Sequence, residues 1–163
     1  MTPLATRGNG VSGRPRTLTA ALGITFAGIL AIVLAACSGN AQQTNAYTDA
    51  LNSVQVKINS VVSATATPEA YQAAVAQNMP TIKSDLQQLQ AAQGNLTGQT
   101  QTIAQKCTTD VQQIVSGLES INAALTAKDS KAVETARQTT NTEIQSLKSC
   151  IDEWNTNNGN SGK

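Results

Sequence analysis

The sequence predicts an all-α protein: an antiparallel up-down bundle of three to four amphipathic helices, preceded by a secretory leader. Three observations predict it. Apolar residues recur every three or four positions in four successive stretches, which is the helical period. Short connections containing Pro, Gly, Asn and Ser separate those stretches. Aromatic residues make up only 2% of the chain, and no alternating run of β-branched and aromatic side chains is long enough to make a strand.

The first stretch carries Tyr47, Leu51, Val54, Ile58 and Val61 on steps of four, three, four and three. It ends before Thr67-Pro68-Glu69, a helix start with Thr67 as N-cap, Pro68 where its missing N–H costs nothing, and Glu69 on the positive helix end. The second stretch aligns Tyr71, Val75, Ile82, Leu86, Leu89 and Leu96. Pro80 interrupts it, and a mid-helix proline removes a hydrogen bond and kinks or breaks the helix. Gly94-Asn95-Leu96-Thr97-Gly98 supplies the next turn. The third stretch, Ile103, Cys107, Val111, Ile114, Leu118, Ile121 and Leu125, has the most regular spacing. Lys128-Asp129-Ser130 closes it and caps the fourth, which carries Val133, Ala136, Thr140, Ile144, Leu147, Ile151 and Trp154.

Each stretch offers one narrow apolar stripe, so each must bury its seam against the others. Short connections favour antiparallel neighbours, and the turns fall too often for one long coiled coil. Three packed helices with the first loosely attached is the structural alternative. The bundle is expected over residues 47–154, with residues 155–163, rich in Asn, Gly and Ser, as a disordered tail.

The leader occupies residues 1–36. Arg7, Arg14 and Arg16 precede an apolar run from Leu18 to Ala36 without an acidic residue, the pattern of a secretory signal whose positive end stays in the cytoplasm. The run ends in Leu34-Ala35-Ala36-Cys37 and turns polar at Ser38-Gly39-Asn40. This resembles the lipobox of bacterial lipoproteins. The resemblance implies cleavage between Ala36 and Cys37, acylation of Cys37, and attachment to the extracytoplasmic face of a bacterial membrane. An uncleaved membrane-spanning helix is the alternative, since roughly 20 apolar residues span a bilayer. Residues 37–46 then form the lipidated N-terminus and a tether. From Cys37 onward the chain has eight basic and ten acidic residues, so no basic patch would hold it to anionic lipid and the acyl chains must do so.

Cys107 and Cys150 test the bundle geometrically. In an antiparallel helical pair, residues level with each other have numbers with a constant sum. A turn at Lys128–Asp129 sets that sum at about 257, and the two cysteines meet it. In the oxidising compartment beyond the membrane such a pair forms a disulfide. A redox pair would sit close in sequence, and a structural zinc needs four ligands.

Catalytic signals are lacking. The chain has no histidine, which removes the commonest general base and metal ligand. No nucleophile elbow, phosphate loop or calcium loop occurs. The carboxylates are scattered, and Asp85 and Asp110 lie off the apolar stripes, where solvated surface is the default. Near-neutral charge and scarce aromatics argue against nucleic acid. No enzyme activity, metal or cofactor is expected. The expected function is that of a lipid-anchored envelope protein that binds another envelope protein or a glycan, or acts as a spacer. The alternative is a small-ligand or sensing bundle with a pocket near Pro80. Tyr71, Pro80 and Trp154 are the candidate partner or ligand contacts, with core packing the competing use of the two aromatics.

Overall fold

The computed structural model describes residues 41–64 and 67–159. The leader, the lipobox with Cys37, and the cleavage point between Ala36 and Cys37 lie outside the described residues, as do residues 160–163. The described chain is all-helical: α1 (Ala41–Ser63), α2 (Pro68–Gln93), α3 (Gly98–Thr126) and α4 (Ser130–Gly159). Each helix packs on the next in sequence, the order of an up-down bundle. α1 is an integral fourth helix, because Tyr47, Leu51, Val54, Ile58 and Val61 are all buried.

Local chemistry sets the turns. Thr67 takes an extended backbone and its Oγ1 accepts from the Ala70 N–H at 3.1 Å, with Pro68 in the first turn of α2. Lys128 adopts a left-handed conformation, φ 57°, which reverses the chain after α3. Asp129 then caps α4, its Oδ1 accepting from the N–H groups of Lys131 and Ala132 at 3.1 and 3.0 Å. These side chains satisfy donors that a helix start leaves without partners.

Pro80 does not break α2, which runs without interruption from Pro68 to Gln93. The proline is exposed, and so is Ala76, whose carbonyl would have bonded the missing N–H. The lost bond therefore faces solvent, while Val75, Met79 and Ile82 hold the opposite face in the core.

Both ends of the helical region extend beyond the sequence reading. α1 starts at Ala41, inside the span read as tether, and α4 runs to Gly159, inside the span read as a tail. Residues 41–46 become helical because Thr48 bonds back to the Thr44 carbonyl and accepts from Trp154 Nε1. In α4, Asn157 Nδ2 donates to Thr100 Oγ1 at 3.0 Å, and Thr156 and Asn158 bond to carbonyls one turn back.

Contacts between α3 and α4 follow a single register. Cys107 and Cys150 are at disulfide distance, with S–S 2.07 Å and Cα–Cα 5.5 Å. Gly117 faces Thr140, and Thr100 faces Asn157, pairs with the same sum of residue numbers as the cysteines. A methyl group on residue 117 would overlap the Thr140 side chain, so glycine there permits the close approach of the two helices.

Two outcomes follow from this register. Replacing both cysteines by alanine should lower unfolding stability by about 2–4 kcal/mol, because the bridge restricts a loop of tens of residues in the unfolded chain; chemical denaturation with and without the pair measures it. Gly→Ala inside a helix ordinarily adds up to roughly 1 kcal/mol. Gly117→Ala should instead destabilise by about 1–3 kcal/mol through overlap, and adding Thr140→Ala should recover part of the loss. A stabilised single variant would remove the close-approach account.

Candidate functional site

Tyr71 and Trp154 lie in the interior and not on a contact surface. Trp154 is 1% exposed and Tyr71 3%. The Trp154 ring meets Tyr47 with centroids 4.6 Å apart and planes tilted by 43°. Its Nε1 donates to Thr48 Oγ1 at 3.2 Å. Tyr47 reaches from α1 to α3, donating its hydroxyl to the Ala104 carbonyl at 2.7 Å, with Thr108 Oγ1 at 3.0 Å. Tyr71 donates to the Leu118 carbonyl at 3.3 Å. Burial is the main cause that pushes the Tyr47 hydroxyl up to about 12, and it also raises that of Tyr71. Neither phenol ionises near neutrality; each ties two helices together.

Asp85 and Asp110 are buried, against the surface placement read from the sequence. Ser53 donates to Asp85 Oδ2 at 2.7 Å across α1 and α2. Ser146 donates to Asp110 Oδ2 at 3.0 Å across α3 and α4. Each carboxylate therefore serves its own helical pair. Burial raises the Asp110 pKa above its ordinary value, opposed by the Ser146 hydrogen bond and the Lys106 ammonium. Among the described residues no three of His, Cys, Asp and Glu gather where they could hold a metal ion.

Two cavities between the described helices are small. One of about 10 Å³ lies between α1 and α4, beside Ile58, Ile144 and Ile151. Another of about 20 Å³ adjoins Val62, Tyr71 and Leu118. Each is near the size of a single water. A larger concavity is an open groove of about 900 Å³ along the outer face of α3 and α4. Gln112, Gln113, Ser116, Ser120, Thr135 and Thr139 wall it, over a floor at Gly117 and Ala136. Pro80 lines none of these three. The sequence reading missed the groove, although the small residues in step at 117, 132 and 136 were a signal for a furrow there. Val56, 62% exposed, is the one large exposed hydrophobic residue among those described.

Asp110 supplies a test of the interior electrostatics. Its raised pKa means the folded state holds a proton more readily than the unfolded state. Its contribution to stability therefore grows as pH falls from the folded pKa toward the ordinary carboxylate value near 4, and at neutral pH the buried charge is a net cost. Asp110→Asn, which still accepts from Ser146, should raise the melting temperature at pH 7, with the gain shrinking toward pH 4. A loss at pH 7 would mean that Lys106 and Ser146 outweigh burial.

The chain matches no protein-family model, no curated protein and no solved structure.

Proposed function

We propose that this chain is a non-enzymatic lipoprotein, anchored through acylated Cys37 to the extracytoplasmic face of a bacterial membrane, whose helical bundle binds another component of the cell envelope. The groove along α3 and α4 carries the binding part of this reading. Most of its polar lining is amide and hydroxyl side chains that donate and accept without charge, a chemistry suited to a protein backbone or a glycan, and Asp129, Lys131 and Glu143 also line it. The Cys107–Cys150 pair supports an oxidising location. The short distance in sequence from Cys37 to the start of α1 at Ala41 supports a bundle held close to its anchor.

A second reading stays attached to the same groove. Its volume falls within the range of small-molecule sites, about 300–1,000 Å³, which supports a small-ligand or sensing role at this groove.

Labelled palmitate and membrane fractionation test the anchor. The wild-type chain should carry label, sediment with membranes and have lost residues 1–36, and Cys37→Ser should carry no label and keep its leader. A wild-type chain that sediments without label and still carries residues 1–36 would favour the uncleaved membrane-spanning helix. Photo-crosslinkers at Gln113 and Ser120 test the groove against a control at Val56 on α1. A macromolecular adduct specific to the groove positions supports the binding module, and none from either leaves the spacer or small-ligand role.

A further inference from the structure

We propose that the end of the bundle from which the N-terminal segment leaves is a lipid-headgroup surface, held flat on the membrane so that the four helices stand along its normal. This rests on the lipid-anchor reading above and adds a second membrane contact, made by the folded domain itself.

The charge distribution is the first support. The start of α1, the α2–α3 turn and the end of α4 meet at this end of the up-down bundle. Residues 41–48, 86–105 and 154–159 contain no Asp, Glu, Lys or Arg. At 1.5 Å per residue the uncharged layer is about 9–12 Å deep. The opposite end carries Glu69, Lys128, Asp129, Lys131 and Glu134. A headgroup layer is about 5–8 Å deep, taking half the difference between the whole bilayer and its hydrocarbon core. The uncharged layer therefore spans it fully.

Reach is the second support. Three residues lie between Cys37 and Ala41, and a fully extended chain covers at most ~14 Å from one to the other. A cysteine acylated at the bilayer surface thus holds this end of the bundle within that distance of the headgroups.

Unused hydrogen-bonding capacity is the third. Among the described residues, the buried side-chain oxygen and nitrogen atoms without a partner are Gln43 Oε1, Gln93 Oε1, and Nδ2 and Oδ1 of Asn155. All belong to this end, one residue from each of α1, α2 and α4. Polar atoms left without partners are costly away from water. Rotation of these terminal amides toward the interface would offer them phosphodiester and ester oxygens as acceptors and glycerol hydroxyls as donors. Such bonds involve no ion desolvation, so the contact is insensitive to salt and lipid charge.

The only tryptophan, Trp154, lies in this end and serves as the probe. The full-length chain, processed and acylated in a bacterial host, is reconstituted on phosphatidylcholine or phosphatidylglycerol vesicles with nitroxide-labelled headgroups. Trp154 emission should fall relative to unlabelled vesicles in both lipids. A probe at the far end, Lys128→Trp with Trp154→Phe, should keep its emission. Gln42→Glu with Gln99→Glu places carboxylates at helix starts, where they suit the helix dipole. That variant should lose the quenching on phosphatidylglycerol and keep it on phosphatidylcholine. Hydrogen exchange of the wild-type chain, slowed on vesicles at residues 93–101 and unchanged at 126–131, reads the same contact without any substitution. An acylated, vesicle-bound chain whose Trp154 is unquenched, or whose two ends behave alike, overturns the headgroup surface and leaves the anchor standing. A chain neither acylated nor vesicle-bound overturns the anchor itself, and this inference with it.

Discussion

The approach of α3 to α4 is the contact on which the other helices depend. Gly117 lets the two backbones close until Thr140 fills the space a larger side chain would need. The cystine joins the same pair of helices nearer the other end, and Asn157 meets Thr100 beyond it. Three contacts of different chemistry thus share one register, established by the reversal at Lys128 and the Asp129 cap. Sliding one helix past the other would break all three. α1 and α2 pack against this pair: Tyr47 crosses to the Ala104 carbonyl and Tyr71 to the Leu118 carbonyl, both on α3.

What was legible in the sequence was governed by local chemistry or by periodicity. Thr67-Pro68-Glu69 and Lys128-Asp129-Ser130 state their turns through residues that act within one helical turn of themselves. The apolar stripes state which face is buried because a helix repeats its faces whatever lies opposite. Pro80 misled because its effect depends on which face carries it. On the core side it would have left a buried carbonyl without a partner; on the solvent side water can serve that carbonyl. Asp85 and Asp110 misled for a related reason. A carboxylate beside a stripe is exposed or covered according to how near the next helix comes. The register that sets Cys107 beside Cys150 also sets Ser146 almost level with Asp110, so a partner for the buried acid could have been read from the chain. The groove was harder to see, since it belongs to the outer face of a helix pair and follows from what small residues fail to fill.

Uncharged polar residues have two different uses in this bundle. Inside, Thr and Ser hydroxyls bond to carbonyls one turn back or to an acid on the neighbouring helix, so their burial leaves few donors without partners. Outside, Gln, Ser and Thr line the α3–α4 groove and the charge-free end without competing ion pairs. The two ion pairs among the described residues, Lys83–Glu119 and Lys106–Glu153, lie elsewhere, on exposed side chains where such pairs add little. The described aromatic side chains, Tyr47, Tyr71 and Trp154, hold helices together, and none of them lines the groove.

The proposed anchor and the disulfide support one another from unrelated observations. The resemblance to a lipobox rests on residues 1–37 alone, and it implies passage into an oxidising compartment. The cystine is a property of two helices far along the chain, and a bridge of this kind persists only where the thiols are not kept reduced. A helical pair could have carried two cysteines on unrelated levels or on outward faces; these two share a level and both are buried. The bridge joins α3 to α4 between their close contact at Gly117 and the charge-free end. On the proposed anchor that end would face the membrane, so restricting the unfolded ensemble of α3 and α4 would limit opening near the surface as well as add equilibrium stability.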